Sequence, residues 1–440
     1  MELVTILLTI VVIFFLVNVF SNQKQGKYKN FPPGPKPLPI LGNILKLDMS
    51  KPHKTLYKLS KEYGPIFSVQ MGMTKMVILC GYETIKDALM NHAEVFSDRP
   101  HNPLFSKSIK DHGKPFGNFT SLSAAVTNII VAILLNKRFE YEDPTLLRLM
   151  ALVSENIRLL GSPWVRLYNS FPSLMDQLPG PHRTIFENLR EFQGFIRATF
   201  TKFRKELDVN DQRNLVDTFL AKQQEGKTES TQYFSDENLT VLVGDLFGAG
   251  METTSTTLRW SLLLMIKYPE IQKKVQNEID KVIGSAQPQM EHRKQMPYTD
   301  AVVHEIQRFG DIAPTTVPHV ASEDVTFRGY FIPKGTPILP ILHSIHMDKE
   351  YFTRPEEFYP EHFLDSEGNF KKNEAFIPFS LGKRSCAGET MARMELFLFF
   401  TYLLQHFTFK VPPGAKLDLT PALGSTNSPK PFEICAIPRS

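Results

Sequence analysis

The stretch from Asp236 to Lys267 constrains the fold more than any other part of the chain. Ser235 stands where its hydroxyl can cap a helix start, the residues from Val241 to Leu264 are mostly apolar, and Pro269 lies two residues past the end. At 1.5 Å per residue such a helix is about 48 Å long. A rod of that length crosses an entire domain, so other elements must be arranged around it. Its middle reads Ala249-Gly250-Met251-Glu252-Thr253-Thr254, with Gly248 just before. Two glycines, an acid and two hydroxyls are poor choices for a buried helix. Two readings stay open: a functional group set into the helix, or a kink with Thr253 bonded back to the preceding turn.

The rest of the pattern is mostly helical beyond Tyr82, with Val126 to Leu135, Asp211 to Lys222 and Ala387 to Leu404 the other strong stretches. Short β signals occur at Ile66 to Met71 and Lys75 to Cys80, joined through Gly72, then at Val325 to Arg328, Phe331 to Ile332 and the C-terminal tail. No repeat or second core is visible in the 440 residues, which points to one mainly α domain with a minor β region. Fifty basic against 46 acidic residues is too even for nucleic-acid binding to be the default. Three scattered cysteines, Cys80, Cys386 and Cys435, exclude a disulfide framework and a four-cysteine zinc site. A cysteine that does chemistry here acts alone.

The N-terminus differs from everything after it. From Leu3 to Phe20 the polar residues are Thr5, Thr9 and Asn18, a run of about 27 Å as helix, close to the ~30 Å of a bilayer's hydrocarbon core. Glu2 precedes it, and Lys24, Lys27 and Lys29 follow. That charge order suits an uncleaved anchor with the remaining chain on the cytoplasmic side. The division expected is a transmembrane signal anchor over 1–22, a basic and proline-rich linker over 23–40, and one large domain over 41–440. Five prolines within Pro32 to Pro39 forbid helix and make the linker a stiff spacer.

Directly before the last helix lies Phe379-Ser380-Leu381-Gly382-Lys383-Arg384-Ser385-Cys386-Ala387-Gly388. Gly382 permits a tight backbone path, and Gly388 lets the helix start come close to a flat neighbour. Cys386 sits where the unpaired N–H groups and the positive end of the helix dipole can hold a thiolate. Arg384 can pair with a carboxylate of the same ligand. A buried cysteine acting as a small hydrophobe is the plainer alternative.

Written F-x-x-G-x-R-x-C-x-G, this segment resembles the heme-binding loop of the cytochromes P-450. The resemblance implies the cytochrome P-450 fold with its single N-terminal transmembrane helix, heme b as cofactor, and Cys386 as proximal thiolate ligand of the iron. Phe379, Gly382 and Gly388 then shape the loop. Arg384, with Arg99 of Phe96-Ser97-Asp98-Arg99-Pro100 and His319 of Val317-Pro318-His319, contacts the heme propionates. The A-G-x-E-T match makes Glu252 and Thr253 the catalytic pair that relays protons through water. Glu305 and Arg308, with His362 of Pro355-Glu356-Glu357-Phe358-Tyr359-Pro360-Glu361-His362-Phe363, match a buried network behind the heme loop, His362 standing where many members have arginine.

The likeness runs from the anchor to the C-terminus and is similar throughout to the vertebrate microsomal family-two drug and fatty-acid hydroxylases. It implies a monooxygenase of the endoplasmic-reticulum membrane. Its electrons come from NADPH through cytochrome P-450 reductase, with cytochrome b5 a second candidate donor, and its substrates are lipophilic small molecules. By position, Phe105, Phe247, Ala249, Ala313, Thr316 and Leu423 line the substrate space, and the Phe171 to Met175 stretch dips into the bilayer or packs between helices. One block is missing. Relatives carry a W-x-x-x-R helix and a further helix between His112-Gly113 and Lys114-Pro115. Here neither Trp164 nor Trp260 is followed four residues later by arginine, and no arginine occurs between Arg99 and Arg138. The alternative function is therefore a catalytically silent shortened variant with weak or no heme binding.

Overall fold

The computed structural model describes residues 30–48, 51–99, 120–225, 233–422 and 424–439. The proposed anchor over 1–22, the junction near 113–114, Phe105 and Leu423 lie outside them. Among the described residues no helix is long and apolar enough to cross a membrane.

Helices are numbered in chain order: α1 (Pro52–Tyr63), α2 (Tyr82–Lys86), α3 (Thr120–Leu135), α4 (Pro144–Leu160), α5 (Pro163–Ser170), α6 (Pro172–Met175), α7 (Pro181–Glu206), α8 (Leu215–Gln224), α9 (Asp236–Lys267), α10 (Pro269–Val282), α11 (Pro297–Gly310), α12 (His343–His346) and α13 (Glu389–His406). The long helix α9 has the bounds read from the sequence, and the Ser235 hydroxyl accepts from Asn238 N at 3.1 Å. Its two halves serve different cores. Leu239, Val243, Phe247 and Met251 pack with α3, α4 and α7, whereas Leu258 to Ile266 pack with α10, α11 and α13. A single rod ties both apolar clusters together, as its length requires.

The helix runs unbroken through Gly248 and Gly250. At Gly250 an added Cβ would lie 2.6 Å from Ile130 Cδ1, so the missing side chain lets α3 pack closely rather than bending α9. Three other boundaries shift by a few residues, α3 starting at Thr120 instead of Val126. Helix α8 starts at Leu215, not Asp211, because Asn214 takes an extended conformation and its side chain accepts from Asp217 N at 2.9 Å. Helix α13 starts at Glu389, with Gly388 at its N-cap, because residues 386–388 still belong to the loop.

The β region forms one four-stranded sheet, ordered β1 (Ile66–Met71), β2 (Thr74–Leu79), β6 (Pro337–Pro340), β3 (His319–Val320). The β1–β2 hairpin turns at Gly72, whose φ is +59°. Strand β6 runs parallel to β2 and antiparallel to β3. Two small hairpins complete it: β4 (Val325–Phe327) with β5 (Tyr330–Ile332), and β7 (Phe407–Lys410) with β8 (Cys435–Pro438). The proline segment is extended, yet it is docked rather than free-standing. Ser68 N donates to Pro33 O at 2.7 Å and Ser68 Oγ to Pro32 O at 2.9 Å, which fixes residues 32–33 along β1.

Candidate active site

The cysteine loop is held by contacts from far along the chain. Gly382 opens a short turn (Gly382–Arg384) with φ +75°, and a Cβ there would fall 1.8 Å from Leu89 O. Both the conformation and the close approach demand glycine. Cys386 N donates to Phe379 O at 2.9 Å, closing the loop on itself, and the Arg393 guanidinium lies 5.0 Å from the Phe379 ring centre. Within this frame Cys386 is exposed and free. The plainer reading of a buried, inert cysteine therefore fails for Cys386 and suits Cys80, whose thiol burial pushes up to about 12. Gly388 would place a Cβ 3.9 Å from Cys386 Sγ, an ordinary contact, so this thiol does not itself require glycine.

Three basic side chains gather beside the loop. Arg384 Nε donates to Ser97 O at 2.7 Å, and Arg99 Nη1 donates to Val317 O at 2.8 Å and Pro318 O at 2.9 Å. The buried His319 engages Phe96 O through Nδ1 at 2.5 Å, which leaves Nε2 open. Residues 96–99 thus run along β3, where Val320 N donates to Asp98 O. Burial and the neighbouring Arg384 lower the Arg99 pKa. Burial likewise lowers His319, against its carbonyl contact and with Arg99 and Arg384 adding to the effect. Among the described residues, neither arginine has a carboxylate partner. Two guanidiniums and an imidazole held by backbone carbonyls beside an exposed thiol match a flat, dianionic, thiol-ligated group. The residues present fit heme.

Glu252 and Thr253 are both committed to local bonds. Thr253 Oγ1 donates to Ala249 O at 2.7 Å, the back-bonded arrangement, while Thr253 and Ala249 remain exposed. Glu252 Oε1 accepts from Thr256 at 3.3 Å, Thr426 at 3.1 Å and Ser428 at 3.3 Å, which ties the middle of α9 to the 424–429 loop. That anchoring role was not visible in the sequence, because Thr426 and Ser428 carry no motif. Phe247 turns into the α3–α7 core, 5.1 Å from the Phe192 ring.

The network behind the loop is complete. Arg308 forms a two-pronged pair with Glu305, at 2.8 Å through Nε and 2.6 Å through Nη2, with both side chains wholly buried. Its remaining N–H groups reach His346 O, Pro355 O and Glu357 O at 2.7 to 2.9 Å. Arg354 N donates to His362 Nε2, so the proton sits on Nδ1, 3.2 Å from Glu305 Oε2. His362 replaces the usual arginine as a neutral donor.

These placements frame the comparison with known proteins. The cytochrome P450 family model matches residues 32–117 and 109–436, most of the chain. The chain belongs to the cytochrome P450 family. It is 43% identical to cytochrome P450 2K4 of Oncorhynchus mykiss over 476 aligned positions, covering 95% of this chain and 93% of the relative. It is 42% identical to cytochrome P450 2C5 of Oryctolagus cuniculus over 469 (94% and 96%), and 39% to cytochrome P450 2F2 of Rattus norvegicus over 484 (98% and 98%). It is thus a P450 of the family-two type, a heme-dependent monooxygenase.

One P450 residue behind the cysteine was missed by sequence reasoning. Glu395, on α13, is buried with neither carboxylate oxygen hydrogen-bonded, and burial pushes its pKa up to about 7. The unfolded chain ionises near the ordinary value, so the folded state loses ground as pH rises from about 4.5 through 7. Glu395→Gln is expected to raise Tm over the parent at pH 8 and to leave it nearly unchanged at pH 4.5. A Tm difference that is the same at both pH values contradicts this.

Proposed function

We propose that this P450 is a membrane-anchored monooxygenase of the endoplasmic reticulum that hydroxylates lipophilic small molecules such as fatty acids, steroids or xenobiotics. Electrons reach it from NADPH through cytochrome P450 reductase, with cytochrome b5 as auxiliary donor. The observation that carries the reading is the exposed Cys386 on a glycine-built turn, flanked by Arg384, Arg99 and His319, which have no acidic partner among the described residues.

Cys386 Sγ is the iron ligand. Arg384, Arg99 and His319 Nε2 bind the propionates, and Phe379, Gly382 and Gly388 shape the loop. When bound, heme supplies the reductive splitting of dioxygen, one oxygen atom going to substrate and the other to water. Thr253 Oγ1, already donating to Ala249 O on an exposed part of α9, would accept a hydrogen bond from water there. Glu252 holds that part of the helix to the 424–429 loop and completes the proton path. The Glu305–Arg308–His362 cluster keeps the segment before the cysteine loop in place.

A cavity of about 610 Å³ lies between β1, β2 and β6, the end of α4 and the 421–427 loop, with Leu47, Val69, Met76, Leu339 and Pro421 in its wall. Its size and apolar lining suit a lipophilic small molecule, but neither Cys386 nor Thr253 lines it, so it lies apart from the proposed oxygen chemistry. Exposed Leu38, Ile40, Leu45, Met73 and Leu174 support a membrane-facing side. Gly72, at the hairpin tip, closes on Ser170 and Phe171, which brings the strand tip to the end of α5.

The domain reading keeps the anchor at 1–22, the linker at 23–40 and a catalytic domain over 41–440 with a block missing near 113–114. Two observations support the gap. The family-model stretches overlap at 109–117 instead of running through. The 476 positions aligned with cytochrome P450 2K4 take in 95% of 440 residues, about 418, which leaves about 58 filled by the relative alone.

The test is turnover by the full chain in lipid, with NADPH and reductase, on a fatty acid. Hydroxylated product that needs NADPH supports the reading. Product formed with a peroxide but never with NADPH and reductase contradicts the electron route, and no product in either case favours the silent variant.

A further inference from the structure

A second set of side chains comes together from three distant parts of the chain, one of them, His53, lining the same cavity. His53 lies in the first turn of α1, Asp311 caps the end of α11 with a left-handed φ of +46°, and His343 opens α12. All three are buried, and one ligating atom of each lies within 4.8 Å of the other two. His343 Nδ1 is 2.7 Å from Asp311 Oδ2, and the His53 and His343 rings meet edge to face at 5.1 Å.

The cluster is incomplete as it stands. Asp311 Oδ1 is buried with no hydrogen-bond partner, and so are both ring nitrogens of His346, whose Nδ1 stops 3.9 Å from that oxygen. A buried carboxylate and imidazoles with an unpaired oxygen and unpaired ring nitrogens among them can hold a cation.

We propose that His53, Asp311 and His343 form a site for a divalent transition metal of the zinc type. Two imidazoles and one carboxylate select such an ion over magnesium or calcium, which take oxygen ligands. The supporting frame is fixed: His343 N donates to Pro314 O, Asn427 Nδ2 donates to Asp311 O at 2.7 Å, and Trp260 Nε1 holds Asn427 O at 2.7 Å. His53 lines the 610 Å³ cavity, which gives the ion a way in and leaves a coordination position for water. The ion braces the starts of α1 and α12 against the end of α11.

The test uses the full chain in detergent, stripped with a chelator, equilibrated with zinc chloride and freed of unbound metal. Zinc per chain is counted by mass spectrometry, and Tm is followed with and without zinc. The parent is expected to retain about one zinc and to gain Tm. His343→Gln and His53→Phe, which keep ring or amide volume, are expected to bind at least roughly tenfold more weakly and to lose the gain. A folded parent that retains no zinc overturns the proposal, as do variants that retain as much as the parent. Zinc that is lost with Cys386→Ser but kept by the histidine variants also overturns it, since the thiol is then the ligand.

Discussion

Replacing Arg308 with alanine is expected to cost about 3–5 kcal/mol of stability, the range for breaking a buried ion pair from one side. Glu305 would keep its charge inside the protein with only Tyr359 N, at 2.8 Å, and the His362 ring as partners. Three carbonyls, of His346, Pro355 and Glu357, would lose their donor at the same time. Set against a total of about 5–15 kcal/mol for a domain, this leaves a chain that is marginal at physiological temperature. Arg308→Lys should recover only part of the loss, because an ammonium cannot fill a planar fork and three carbonyls together. Denaturant unfolding checks both variants. A midpoint for Arg308→Ala equal to that of the parent contradicts the network's role.

Restoring the absent block has the second large effect. On the proposed reading Arg99, Arg384 and His319 are the propionate donors of this chain, and the resemblance implies two more from the W-x-x-x-R helix that it lacks. At about 1.5–3 kcal/mol for each charge-assisted hydrogen bond, two further donors strengthen heme retention by two to four powers of ten. Inserting the block of a relative near 113–114 should therefore slow heme loss by about that factor. Measured loss rates that match between the two chains contradict both the missing-block reading and the donor assignment.

Local signals were legible where a residue acts on its own neighbours. Ser235 and Pro269 bracket α9 correctly because capping and proline geometry are properties of a few consecutive residues. Asn214 can do the same for α8, but charged residues from Asp211 onward extend the helical pattern ahead of the true start. Gly382 reads as a turn residue from sequence, yet the reason it cannot change is the Leu89 carbonyl, which only the fold brings there. Glu305 and Arg308 form an ordinary surface-like pair in sequence, and their burial depends on the 355–359 segment closing over them. The His53–Asp311–His343 cluster carried no readable signal, since its members come from the ends of three separate helices. The docked proline segment was likewise hidden in Ser68, an unremarkable strand residue.

The central claim is that Cys386 holds heme iron through an anionic sulfur. Its most direct test is the carbon monoxide difference spectrum of the reduced full chain, expressed in membranes with ample heme precursor, beside the Cys386→Ala variant. A thiolate-shifted band in the parent that vanishes in the variant is the predicted result. A band that survives the substitution, or a parent with no heme signal at all, contradicts the account.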